Sequence, residues 1–128
     1  MWEIAKTFSF AAAHHLVGLA ADHPCSRPHG HTYTATITLR GTALPENGMI
    51  VDYRELDRTI GIWIDEVFDH HDLNEVFTEI RGGRQTSAEN IAQVLYEKCK
   101  QYSWAHYLHS VTVCESPKTR ATYFGKAS

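Results

Sequence analysis

The sequence has no long hydrophobic run and no excess of basic residues. No apolar stretch approaches the roughly 20 residues that a membrane span needs, and the opening MWEIAKTFSF lacks the apolar core of a secretory signal. Lysine and arginine number 12 against 15 aspartate and glutamate, which gives a formal charge of −3. These absences predict a cytoplasmic protein that binds neither a membrane nor nucleic acid.

Cysteine is also scarce, and its odd count excludes a fully paired disulfide framework. The three cysteines, Cys25, Cys99 and Cys114, are expected to be reduced thiols. No repeat and no linker rich in proline, glycine or serine interrupts the chain. With 43% hydrophobic residues in 128, the chain is large enough for one domain, residues 1–128, with its own core.

Apolar residues at every second position predict two long strands in the first third of the chain. In the segment HGHTYTATITLRG, threonines at 32, 34, 36 and 38 occupy one face. The opposite face of that segment carries His29, His31, Tyr33, Ala35, Ile37 and Leu39, and one face of the preceding strand carries Phe8, Phe10, Ala12 and His14.

Helical spacing replaces this alternation after Asp52, which is a plausible helix cap. The first helical stripe comprises Tyr53, Leu56, Ile60, Ile64 and Val67; the second, opened by Ser87, comprises Ala88, Ile91, Ala92, Leu95, Cys99 and Tyr102. YLHSVTVCES and RATYFGKA then predict a hairpin joined at SPKT. The order β-β-α-α-β-β predicts an α+β fold, with a four-stranded antiparallel sheet and two helices on one face.

Three of the nine histidines form a candidate metal site. His29 and His31 are two positions apart on one strand, so their imidazoles leave the same face. If the first two strands pair, His14 comes alongside them. Three imidazoles with an open fourth position are typical of a catalytic zinc site. The alternative is a set of hydrogen-bonded polar residues at a strand start, with no metal.

Cys25 precedes this pair in CSRPHGH and allows three interpretations. It would close the zinc site as a fourth ligand, or remain an inert buried thiol, or act as a base beside the metal. The polar, proline-containing loop around it disfavours burial.

Two carboxylates complete the set of candidates. Asp69 can orient His70 as a carboxylate–imidazole pair, although a solvated helix end would carry the same residues. Glu115 ends the row Val111, Val113, Glu115 of an apolar strand face. There it is either a solvated rim residue or an anchor for a ligand with paired N–H donors, such as an amino-pyrimidinone.

From about residue 4 to 125 the chain resembles the 6-pyruvoyl-tetrahydropterin synthase/6-carboxytetrahydropterin synthase family. The motifs that carry the resemblance are FSFAAAHHL, CSRPHGHTY, GMIVDYREL, FDHHDLN, SAEN and CES, in this order. The resemblance implies the T-fold, whose subunits form a barrel, commonly a homohexamer of two stacked trimers with active sites between subunits.

The resemblance also implies a reaction. Three residues separate Cys25 from His29-Gly30-His31, which is similar to the 6-carboxytetrahydropterin synthases. These convert 7,8-dihydroneopterin triphosphate to 6-carboxy-5,6,7,8-tetrahydropterin, acetaldehyde and triphosphate, on the route to 7-deazapurines such as queuosine. The alternatives are the 6-pyruvoyl reaction, which eliminates triphosphate without cleaving the side chain, and a non-catalytic metal- or pterin-binding protein.

Each candidate residue receives a role from the same resemblance. His14, His29 and His31 would hold Zn²⁺, and Cys25 would move a proton with Asp69 and His70. The remaining candidates would contact substrate: Glu115 at the pterin edge, Ser87 and Ala88 around the ring, and Arg27 at the triphosphate.

Overall fold

The computed structural model describes residues 1–81 and 85–126 and places five strands in one sheet, in the order β3-β1-β2-β4-β5. The strands are β1 Trp2–His14, β2 His29–Gly41, β3 His71–Asp72, β4 Leu108–Ser116 and β5 Thr119–Tyr123. The α+β class is confirmed, and the four predicted strands are antiparallel neighbours. The fifth, β3, pairs in parallel with β1. Two residues are too short to produce an alternating pattern, so the sequence did not reveal it.

The register between β1 and β2 brings the two predicted faces together. Phe10 lies opposite Tyr33, and His14 lies opposite His29. The Phe10 and Tyr33 rings stack at 5.0 Å between centroids. Both side chains are buried in the core against the helices. The threonine face lies on the other side of the sheet, where the hydroxyl of Thr36 is 2.8 Å from that of Thr7 across the strands.

The first helical segment runs continuously over residues 53–67. It comprises α1 Tyr53–Leu56, a π-helical stretch Asp57–Gly61 and α2 Ile62–Val67. Asp52 caps it, because its carboxylate accepts a hydrogen bond from the Arg54 backbone N–H at 2.9 Å. Gly61 allows close packing on β1: a Cβ there would lie 2.8 Å from Phe8 Cε1. Leu56, Ile60 and Ile64 of the predicted stripe are buried and Val67 is partly buried, whereas Tyr53, in the first turn, is 48% exposed.

Two helices follow, α3 Leu73–Arg81 and α4 Ala88–Cys99. The second was predicted with its cap at Ser87, whose hydroxyl accepts from the Asn90 backbone N–H; Tyr102 lies beyond the helix end. The first was not predicted, because its polar approach FDHH and its short apolar set Leu73, Val76 and Phe77 do not establish a helical period. Short 3₁₀ turns occupy Pro24–Ser26 and Ala105–Tyr107. Across the described residues, no helix combines the length and apolar character of a membrane span.

Candidate metal centre and active site

His14, His29 and His31 meet at the end of the β1–β2 pair where β1 finishes and β2 begins. One ring nitrogen from each of the three lies within 4.8 Å of the others. The ring centroids are 4.6 Å apart for His14 and His29, 5.1 Å for His14 and His31, and 4.9 Å for His29 and His31. The pairing of two rigid strands therefore assembles the histidine cluster that alternation had predicted.

Backbone carbonyls fix the orientation of two of these rings. His14 Nδ1 donates to the carbonyl of Thr86 at 2.8 Å, and His29 Nδ1 donates to the carbonyl of Arg27 at 2.7 Å. An imidazole whose Nδ1 carries the proton presents the Nε2 lone pair, which is the tautomer a metal ligand needs.

The surroundings of His14 favour its neutral form. Burial is the main cause that lowers its pKa, the neighbouring His29 adds to the effect, and the hydrogen bond to Thr86 opposes it. Because metal ions bind the neutral imidazole, burial prepares His14 for coordination rather than for charge.

Unpartnered nitrogen atoms point to a bound cation. Nε2 of His14 and Nε2 of His31 are both buried and make no hydrogen bond. A buried polar atom without a partner costs about 1–3 kcal/mol, and a metal between the rings would remove this cost. The donor set therefore fits a metal ion with three imidazole ligands, and the cluster can hold one.

Cys25 does not belong to this group of potential ligands. It is half-buried in the 3₁₀ turn Pro24–Ser26, which His23 caps by accepting from the Cys25 backbone N–H at 3.1 Å. Its carbonyl accepts from the Leu16 backbone N–H at 2.7 Å and so ties the loop to the end of β1. This arrangement leaves three histidines and no thiolate in the cluster.

Asp69 and His70 form the predicted pair. Asp69 Oδ2 lies 2.9 Å from His70 Nδ1, and Asp69 Oδ1 accepts from the Ala11 backbone N–H at 2.8 Å. The Ala11 hydrogen bond and then the His70 ring lower the pKa of Asp69. His70 has a φ of 59° in the left-handed region, which is strained for a residue other than glycine. Its side chain is 82% exposed.

Among the described residues, no hydrogen bond or ion pair joins Asp69 or His70 to Cys25 or to the histidine cluster. His70 instead lines an open depression of about 550 Å³, whose other lining residues include Ala11, Ala13, Gly30 and His31.

Glu115 lies beside the histidine cluster. Its Oε2 is 4.0 Å from His31 Nε2, too far for a hydrogen bond but close enough for an electrostatic interaction. The same side chain lines a cavity of about 400 Å³, within the size range of small-molecule sites. The other residues lining the cavity are Ala88, Glu89, Thr119, Arg120, Ala121 and Thr122. A ligand in this cavity would contact the Glu115 carboxylate, which itself lies 4.0 Å from His31 Nε2.

Of the other predicted substrate contacts, only Ala88 is among the residues that line this cavity. The Ser87 hydroxyl is engaged as the cap of α4. Arg27 is exposed and contributes its carbonyl to His29.

Sequence reasoning missed two neighbours of the cluster. Thr86 orients His14 from 72 positions away along the chain, and no local pattern marks it. Tyr33 shares the face of His29 and His31, which the alternation did show, but its hydroxyl is buried without a hydrogen-bond partner. Burial and then the charge of Glu115 raise the pKa of Tyr33, which keeps its hydroxyl protonated.

Comparison with known proteins gives consistent matches along the chain. The sequence is 31% identical over 128 residues to 6-carboxy-5,6,7,8-tetrahydropterin synthase of Synechocystis sp., covering 97% of this chain and 94% of the relative. It is 31% identical over 103 residues to the protein of the same name in Bacillus subtilis, covering 79% and 67%.

A solved structure shares the fold over nearly the whole length. The Caenorhabditis elegans 6-pyruvoyl tetrahydropterin synthase superposes with a TM-score of 0.86 at 29% identity, covering 98% of this chain and 96% of that one. The family described as "PTPS: 6-pyruvoyl tetrahydropterin synthase" matches residues 3–126. The chain therefore belongs to the 6-pyruvoyl tetrahydropterin synthase family and has its T-fold.

Proposed function

We propose that this chain, acting as a single domain, is a zinc-dependent 6-carboxytetrahydropterin synthase. It would convert 7,8-dihydroneopterin triphosphate and one water to 6-carboxy-5,6,7,8-tetrahydropterin, acetaldehyde and triphosphate, a carbon–carbon lyase reaction. The observation that carries the proposal is the three-histidine cluster beside Glu115 and its cavity. The product would serve the synthesis of 7-deazapurines of the queuosine type.

Zinc is the metal that the donor set favours. Three neutral imidazoles and an open position suit Zn²⁺, and the hydrogen bonds of His14 and His29 to carbonyls supply the outer support that such ligands need. When bound, the metal would act as a Lewis acid toward side-chain oxygens of the substrate and acidify the neighbouring C–H.

The residues around the cluster would bind the substrate and transfer protons. Glu115 would accept two N–H donors of the pterin edge and hold the ring in the cavity. Ala88 and Ser87 would border the ring, and Arg27 would contact the triphosphate. Cys25, outside the ligand group, is free to take the proton. Asp69 would hold His70 oriented for the opposing proton transfer, which accounts for the strained backbone at His70.

Two observations favour the 6-carboxy reaction over the 6-pyruvoyl one. Three residues separate Cys25 from His29, as the resemblance to the 6-carboxy enzymes implies. The Synechocystis and Bacillus relatives also bear the 6-carboxy name. The 6-pyruvoyl reaction remains the second candidate, because the C. elegans structure of that name shares the fold over nearly all of both chains.

Assembly into a homohexamer, a dimer of trimers, is part of the proposal. Among the described residues no hydrogen bond or ion pair joins Cys25 to His70, so we infer that a second copy completes the proton-transfer set. β5 and the β3 side of β1 end the sheet, and unpaired strand edges can pair with other copies. The three unpaired cysteines suit a cytoplasmic location.

A product assay tests the reaction. The zinc-loaded protein is incubated with 7,8-dihydroneopterin triphosphate, and acetaldehyde, 6-carboxytetrahydropterin and triphosphate are measured. Equal amounts of all three support the proposal. Triphosphate with a 6-pyruvoyl pterin and no acetaldehyde would assign the second candidate, and the absence of any turnover would leave a non-catalytic pterin- or metal-binding protein.

A further inference from the structure

The buried polar side-chain atoms that lack a hydrogen-bond partner in the described part of the chain lie close together. Among the described residues they are Nε2 of His14, Nε2 of His31 and the hydroxyl of Tyr33. The three rings are in contact: the Tyr33 centroid lies 5.8 Å from that of His14 and 5.3 Å from that of His31. A metal ion would satisfy the two nitrogens, but it would leave the hydroxyl unexplained.

The Tyr33 side chain lies in the core between the two strands that neighbour β2. Its ring is fully buried and stacks on Phe10 of the neighbouring strand. On its other side, the β2–β4 register pairs Thr34 with Cys114, so the next step places Glu115 opposite Tyr33. The phenol therefore lies against the histidine cluster and next to the strand that carries the proposed pterin anchor.

Phenylalanine would fill the same space without a buried polar atom. An unpaired hydroxyl in this setting destabilises the fold, since it has lost its hydrogen bonds to water and gained none. A hydroxyl kept at such a position fits a site whose partner arrives with a ligand.

We propose that Tyr33 is a ligand-binding residue whose O–H donates a hydrogen bond to an oxygen of a pterin bound at Glu115 and the histidine cluster. The inference rests on the proposed function for the identity of the ligand. The acceptor is either an oxygen of the ligand side chain or the ring carbonyl, which share the same hydrogen-bond chemistry.

Tyr33→Phe tests the proposal, because it removes the hydroxyl and keeps the ring stacked on Phe10. In the protein as purified, without pterin, we expect the melting temperature to rise by about 2–6 °C. Binding of neopterin, measured by calorimetry, should weaken about tenfold. Zinc content should not change. Tyr102→Phe is the matched control, since Tyr102 follows the C-terminal end of α4, outside the histidine cluster. This variant should alter neither binding nor zinc content.

A second ligand locates the acceptor. If Tyr33→Phe weakens neopterin but not 6-methylpterin, the acceptor is a side-chain oxygen; if it weakens both, the acceptor is on the ring. A lower melting temperature with unchanged binding would overturn the proposal, because the hydroxyl would then serve the fold. Failure of the unmodified protein to bind neopterin would overturn the proposed function together with this assignment, whereas binding that Tyr33→Phe leaves intact would overturn this assignment alone.

Discussion

The histidine cluster and the Asp69–His70 pair differ in whether their polar atoms have hydrogen-bond partners. In the cluster, nitrogens of His14 and His31 are buried and unpartnered. In the pair, both oxygens of Asp69 are already used, one by Ala11 and one by His70, and the His70 ring projects into solvent. The first region is incomplete without a ligand, and the second is complete as it stands.

This difference separates two tasks of the proposed active site. Metal ligands must be held at fixed distances, and adjacent strands provide that within one chain. The pair lies where helix 53–67 ends and β3 begins, at an edge of the sheet. A region that is satisfied and exposed can serve a site on a neighbouring molecule without destabilising its own chain.

Removing one member of the histidine cluster should have the largest effect. We expect His31→Ala to weaken zinc binding by more than about 100-fold, because loss of a ligand exceeds the loss of an outer-shell hydrogen bond. Metal analysis after dialysis and the product assay should both fall to background. The control is His106→Ala, an exposed histidine outside the cluster. Full zinc content in His31→Ala would contradict the assignment of the cluster.

Mixing two inactive variants tests the division between copies. Cys25→Ser and His70→Gln should each lower turnover by about 100-fold or more while keeping full zinc content. If each site combines Cys25 of one subunit with His70 of another, co-assembly of equal amounts should restore about a quarter of the activity.

The outcome separates three arrangements. Mixed assemblies that stay inactive would place both residues in one subunit's site and would contradict the proposed division between copies. Zinc loss in Cys25→Ser would instead make the thiolate a metal ligand. Cys114→Ser is the control for removing a thiol outside the site, and it should retain activity and metal.

The sequence predicts the cluster well because alternation and pairing are local rules. His29 and His31 leave the same face of one strand, and a single antiparallel pairing brings His14 to them. The same rule placed Tyr33 on that face. The residue pattern indicates which way each side chain faces, and this was enough to predict the histidine cluster.

The other features of the site and fold depend on contacts that no local sequence pattern indicates. The hydrogen bond from His14 to Thr86 joins residues 72 positions apart, and the unpartnered hydroxyl of Tyr33 is a property of its whole surroundings. β3 and α3 follow the Asp69–His70 pair directly, and the polar residues of this segment prevented the prediction of both elements. Tyr53 was predicted on the buried stripe but is exposed, because helical spacing does not show where along a helix the core begins.

The smallest expected effect concerns the stability of the Asp69–His70 region in acid. The Ala11 hydrogen bond, and then His70, lower the pKa of Asp69 below its ordinary value of 3.8. Between the lowered value and 3.8 the unfolded chain binds more protons, so stability rises with pH there. The contribution is fully present above the ordinary value and is lost as pH falls through the lowered one.

Asp69→Asn should therefore flatten the acid side of the stability curve. We expect melting temperatures between pH 5 and about pH 2 to fall less steeply in this variant than in the unmodified protein. Asp65→Asn, at an exposed carboxylate of α2, should leave the curve unchanged. Parallel curves for Asp69→Asn and the unmodified protein would mean that Asp69 contributes nothing to the fold through its charge.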